Sequence, residues 1–309
     1  MQVYLPVAEM PINVLVILAL GLATGFLAGM FGIGGGFLAT PFLMFIGIPP
    51  AVAVATSTNQ IIASSVSGLL GHLRKGNVDI KMGLILVIGG LVGSTFGVSI
   101  VTLLQKTGQT DIVIAIIYVV FLGSISVTML KDSIKTLLQN KYQLIWEKEQ
   151  DTNLDKFLKK TDNLPWKIYF PKSDITVSII IPIILSLGIG ILVSLMGIGG
   201  GFLMIPAMIY ILRMPSYVVV GTSLFQIIFI ASNATFLQSI TNNTVDIVLA
   251  FLMIISSSIG AQFGTRAVYK SDANLMRVVL SLLILGVCIK IFLGLVTQPE
   301  NLFSVGIIK

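Results

Sequence analysis

The 309-residue chain contains one cysteine, Cys288, and one histidine, His72. A single cysteine excludes a disulfide framework within the chain. One cysteine with one histidine also excludes a Cys/His metal cluster and a bis-histidine haem, so no metal or cofactor is expected. Charge is scarce too: 10% of residues are charged, against roughly 25% in a soluble domain. Apolar residues make up 55% of the chain, and its mean hydropathy is +1.00. They fall in continuous, non-alternating runs, many of them about 20 residues long, enough to cross a bilayer as helices. Lipid admits only helices and closed barrels, and a barrel would alternate. The expected fold is therefore an all-α, polytopic transmembrane bundle. The net charge of +6 fits lysines on the cytoplasmic side of a bilayer better than a nucleic-acid surface. MQVYLPVAEM has neither a basic n-region nor a small-residue cleavage site, so no signal peptide is expected.

The apolar runs fall at about 12–31, 36–47, 50–71, 79–104 and 111–130, and again at about 175–196, 201–212, 216–240, 244–268 and 274–297. The expected domains are a first repeat over 1–130, a linker over 131–173 and a second repeat over 174–309. GMFGIGGGFLATP from Gly29 falls on SLMGIGGGFLMIP from Ser194, at an offset of 165. ATSTNQ from Ala55 falls on GTSLFQ from Gly221, at 166. Val78-Asp79 falls on Val245-Asp246, and GSTFG from Gly93 on GAQFG from Gly260, both at 167. Internal repeats of this kind mark secondary transporter folds.

Charge tests the topology. If the segments around each GIGGG enter the bilayer and return, each half has an odd number of passes and the halves are inverted. With both termini outside, Arg74, Lys75, Lys81, nine linker lysines, Arg213, Arg266, Lys270 and Arg277 lie inside, which is 16 of the 19 basic residues. If each GIGGG is instead one bent crossing, the repeats are parallel and Arg213, Arg266, Lys270 and Arg277 move outside. The positive-inside rule favours the inverted arrangement. The linker has helically spaced apolar residues (Ile134, Leu137, Leu138, then Leu154, Phe157, Leu158) and both tryptophans, Trp146 and Trp166. It reads equally as an amphipathic surface element or a solvated connector.

GIGGG is a poor helix former. The run after it is short, and some 11 residues of helix reach only about 16 Å, roughly half a hydrocarbon core. A helix break therefore falls deep in the membrane, where irregular backbone survives only inside protein or beside a water-filled cavity. The half-helix that follows aims unpaired N–H groups and the positive end of its dipole into that space, which suits an anion. Gly34, Gly35 and Gly36, with Gly199, Gly200 and Gly201, are the candidate backbone donors. Close helix packing is the competing explanation for such glycines. Duplication at matched positions, each ahead of a proline (Pro41, Pro206), favours a site.

The next segment of each half carries polar residues where lipid forbids them: Thr56, Ser57, Thr58, Asn59 and Gln60, then Thr222, Ser223 and Gln226. Hydroxyl and amide donors suit a small oxyanion in a dry cavity. Thr56, Ser57, Asn59, Gln60, Thr222, Ser223 and Gln226 join the glycines as candidate substrate-binding residues. Scattered Ser64, Ser65, Ser256, Ser257 and Ser258 read as interhelical hydrogen bonding, and GSTFG and GAQFG as packing, with Gln262 able to line a path. Asp79 and Asp246 read as helix N-caps rather than proton carriers. His72 reads as a loop residue and Cys288 as packing. A GxSxG elbow and an intramembrane acid pair are both missing, so the chain does not read as an enzyme.

GMFGIGGGFLATP with its second copy, the TSTNQ and TSLFQ blocks and the GxxxG segments resemble the sulfite exporter TauE/SafE family. The resemblance spans both halves and leaves out the linker. It implies a multi-pass transporter of the bacterial inner (plasma) membrane. The implied substrate is a small anion, such as a sulfur oxyanion or organosulfonate. The combined expectation is a secondary transporter, working as an exporter by alternating access between two inverted repeats. Its partners would be the anion, the bilayer and a coupling ion or proton, and the linker would be cytoplasmic. An anion channel, or a scaffold docking through the linker, is the alternative. The sequence leaves the oligomeric state open.

Overall fold

The computed structural model describes residues 2–31, 36–139, 165–267 and 273–296. The expectations for Gly34, Gly35, Trp146 and most of the linker lie outside these residues. The first half opens with a hairpin, β1 (Gln2–Leu5) and β2 (Met10–Asn13). Five helices follow: α1 (Val14–Phe31), α2 (Gly36–Phe45), α3 (Pro50–Arg74), α4 (Ile80–Lys106) and α5 (Thr110–Gln139). The second half repeats this order: β3 (Lys167–Phe170), β4 (Ile175–Ser178), α6 (Ile180–Met196), α7 (Gly201–Tyr210), α8 (Ser216–Thr241), α9 (Ile247–Ala267) and α10 (Ala273–Val296).

Ten helices among the described residues bear out the helical bundle, and every expected apolar run is matched by one of them. The hairpins were not foreseen. Each is a two-stranded antiparallel ribbon pairing Gln2 with Asn13, or Lys167 with Ser178. VYLP (Val3–Pro6) and IYFP (Ile168–Pro171) stand 165 residues apart, so the repeat extends to them. Glu9 and Asp174 hold the same left-handed backbone, φ 52° and 50°. The second hairpin begins within the stretch assigned to the linker, and α5 runs into that stretch from the other side.

The halves interleave. Gly21, Gly25 and Gly29 of α1 meet Ser256, Ser257 and Ala261 of α9 in order, so these helices run parallel. Gly89, Gly93 and Gly97 of α4 likewise meet Ile183, Leu187 and Ile191 of α6. A methyl added at Gly93 would lie 2.1 Å from the Leu187 carbonyl oxygen. Close backbone approach is how helices associate where lipid removes the hydrophobic drive between them, and GSTFG serves packing as expected. At the centre α3 packs on α8. Thr58 bonds Thr235 (2.6 Å), Ile61 clusters with Ile227 and Ala231, and Leu69 clusters with Leu224. As positions rise along α3 they fall along α8, so these equivalent helices touch antiparallel.

The outer surface is that of a membrane protein. Ile80, Leu84, Ile88, Val92 and Phe96 form an exposed row along α4. Ile247, Phe251, Ile255, Ile259 and Phe263, each 167 residues later, form the same row along α9. An apolar stripe this long facing outward has a partner in lipid and none in water. Among the described residues, four helical stretches are long and apolar enough to cross a bilayer: Ile80–Lys106, Thr110–Thr128, Tyr217–Thr241 and Ile247–Gly264. Gln262 sits on an exposed face of α9. His72 lies in the last turn of α3, not in a loop.

Candidate functional site

The glycine turn of the second half is a built structure. Helix α6 ends at Gly197, whose left-handed φ of 62° lets its N–H donate to the Val193 carbonyl at 2.8 Å. Gly199 and Gly200 are also left-handed, φ 77° and 61°. Three such residues within four positions need glycine, since other residues take this backbone at a cost of about 1–2 kcal/mol each. The Gly201 N–H donates to the Gly199 carbonyl, and the Leu203 and Met204 N–H groups to the Gly200 carbonyl. Expected anion donors are thus partly consumed by the turn itself. The N–H groups of Gly199, Gly200 and Phe202 have no hydrogen-bond partner among the described residues.

The two glycine motifs meet at the centre of the molecule. A Cβ placed on Gly36 would lie 2.5 Å from the Gly197 carbonyl oxygen and 2.2 Å from Ile61 Cδ1. One position on, Phe37 and Phe202 stack, with ring centroids 5.2 Å apart and planes 8° from parallel. These are equivalent residues of the two halves. Beside them, Ser57 and Thr40 share a 2.6 Å hydroxyl–hydroxyl bond. The Ser57 hydroxyl also reaches the Gly197 carbonyl, at 3.5 Å. The Tyr118 hydroxyl donates to the Met196 carbonyl. Thr40, Ser57 and Tyr118 are all fully buried. Of these three, the sequence singles out only Ser57 as a candidate; Thr40 and Tyr118 are brought in by the structure. Thr40 lay inside the quoted motif, one helical turn after Gly36.

The remaining candidates divide. Thr56 accepts the Asp246 N–H at 3.2 Å, and Thr222 accepts the Asp79 N–H at 2.9 Å. Each threonine thus holds the start of a helix in the opposite half. Asp79 Oδ1 caps α4 through the Met82 N–H and Asp246 Oδ1 caps α9 through the Leu249 N–H, as the sequence suggested. Their other oxygens bind the hairpin turns of the opposite half. Asp79 Oδ2 accepts from the Ser173 hydroxyl at 2.7 Å, and Asp246 Oδ2 from the Val7 N–H at 2.9 Å. Both carboxylates are buried. Ser223 donates to its own helix at Val220.

Three of the candidate amides have buried unpaired atoms, as Gln238 and Asn242 do outside the candidate set. Gln60 is fully buried; its Nε2 donates to Thr24 at 2.6 Å and its Oε1 has no partner. Gln226 is also fully buried, with both amide atoms unpaired. Asn59 leaves Nδ2 unpaired. A buried polar group without a partner costs roughly 1–3 kcal/mol, so such groups are rare without a ligand or water to meet them.

The sulfite exporter TauE/SafE family matches residues 17–291. The chain belongs to that family. YunE of Bacillus subtilis (strain 168), a probable membrane transporter protein, is 27% identical over 280 residues, covering 87% of this chain and 94% of its own. A probable membrane transporter protein of Xylella fastidiosa (strain 9a5c) is 25% identical over 281 residues, covering 90% and 94%. Sulfite exporter TauE/SafE family protein 1 of Arabidopsis thaliana is 33% identical over 103 residues, covering 33% of this chain and 23% of its own. No solved structure matches. For this TauE/SafE chain, family and long apolar helices together establish a multi-pass membrane transporter.

Proposed function

We propose that the protein is a secondary transporter, an exporter, of a small oxyanion of the sulfur oxyanion or organosulfonate class. The anion binds where the two glycine motifs meet, and the two halves rock about it as inverted repeats. One observation carries this reading. Gly36 and Gly197 abut, and Gln226, fully buried with both amide atoms unpaired, stands in α8 next to Ile227, which packs with Ile61 beside the glycine turns. The N–H groups of Gly199, Gly200 and Phe202, unpaired among the described residues, add donors without adding charge, as suits an anion. Antiparallel contact between α3 and α8 supports the inverted relation. The name of the family and of its Arabidopsis member supports the substrate class. The setting is the bacterial plasma membrane, with the linker cytoplasmic and both termini outside. A gradient of the substrate itself, or of a coupling ion, drives the cycle.

Counterflow in proteoliposomes tests this. Vesicles loaded with unlabelled sulfite or sulfoacetate should take up the labelled anion transiently above equilibrium, and the uptake should saturate. Flux with no counterflow and no saturation would establish a channel instead.

A further inference from the structure

The internal repeat gives the two buried glutamines equivalent places but different neighbours. The Gln60 amide donates to Thr24, which passes its own proton to the Leu20 carbonyl at 2.7 Å. At the offset of 165 that lays GIGGG on GIGGG, Ile189 stands where Thr24 stands. The isoleucine side chain has no hydrogen-bonding atom, and Gln226 is left with both Nε2 and Oε1 unpaired. Ile189 is itself buried and close to the second glycine turn: a Cβ on Gly200 would lie 2.8 Å from its Cγ2. A buried amide with neither atom satisfied is destabilising, and its presence calls for a partner that arrives from outside the fold.

We infer that the two halves, built alike, divide the work: Gln226 binds the transported anion, and Gln60 is a structural amide held by Thr24. The Thr24/Ile189 difference decides which is which. This rests on the anion-transport reading above and deepens it. Gln226 offers both kinds of group, an NH2 that donates and a carbonyl oxygen that accepts. A fully deprotonated oxyanion engages only the donor and would leave Oε1 unsatisfied. The ligand class that satisfies both is a small oxyanion that keeps a hydrogen-bond donor of its own, as a hydrogen oxyanion does. The N–H groups of the glycine turn that are unpaired among the described residues receive its remaining oxygens. Ile189 keeps the site vacant between cycles by offering Gln226 no internal bond.

The test uses the purified full chain and its melting temperature with sulfite, with sulfate as the anion lacking a donor. Wild type is compared with Gln60→Ala, Gln226→Ala and Ile189→Thr, and Ile189→Val serves as the apolar isostere of the threonine variant. Sulfite should stabilise wild type and sulfate should not. Apparent affinity should fall at least about tenfold in Gln226→Ala and Ile189→Thr and stay within about threefold in Gln60→Ala. Without any anion, Ile189→Thr should melt above Ile189→Val, because its hydroxyl would stand in the repeat position from which Thr24 bonds Gln60. Equal losses in the two glutamine variants, with wild type still binding, would overturn the division of labour and leave the transport reading intact. Ile189→Thr melting no higher than Ile189→Val would also overturn it. If sulfate stabilised wild type as well as sulfite does, the ligand assignment would fall. If neither anion stabilised wild type, the transport reading would fall first and the ligand assignment with it.

Discussion

At the scale of single residues, the most informative groups are those whose hydrogen bonds cross between halves. Asp246 combines a helix cap with bonds to the first hairpin turn, and Asp79 does the same with the second. Asp246→Ala strands the Val7 N–H and uncaps α9, so it should lower stability by about 2–4 kcal/mol. Ser173→Ala removes one hydroxyl bond to a buried carboxylate and should cost less, about 1.5–3 kcal/mol. Detergent-solubilised melting curves check both, and equal effects would contradict the bond count. The sequence showed these aspartates as caps because each stands at the start of an apolar run. It could not show their second partners, since Val7 lies 239 residues from Asp246. Gln60 and Gln226 were legible as costly amides in apolar helices. Thr24, the residue that makes them unequal, was not, because one threonine in an apolar run carries no signal without knowing what faces it.

At the scale of elements, helix boundaries were legible because glycine, proline and charge punctuate each apolar run. The hairpins were missed because four-residue strands leave little periodicity, and the repeat became visible there only once both were seen paired. GSTFG reads as packing in sequence and packs in the structure, with α4 against α6. Gly93→Val should therefore cost about 3 kcal/mol, since the added carbons meet Leu187 backbone that cannot give way. Gly71→Ala in α3 meets nothing within 4 Å and should be neutral or slightly stabilising. Thermal unfolding of the two variants separates a packing glycine from a merely helical one.

At the scale of the whole molecule, alternating access requires that the halves face opposite ways. The helix pairs α1–α9 and α4–α6 tie each half to the other, and the hairpins latch the ends. The first hairpin would cover Asp246 on the outer side and the second would cover Asp79 on the inner side. Charge in the sequence leads to the expectation of these sides, and the antiparallel α3–α8 contact supports the proposed inversion of the halves. Labelling of exposed hairpin positions in intact cells tests it most directly. In a Cys288→Ala background, Pro6→Cys should react with a membrane-impermeant maleimide added outside, and Pro171→Cys should react only after permeabilisation. Both positions reacting from the same side would make the repeats parallel and contradict transport by inverted halves.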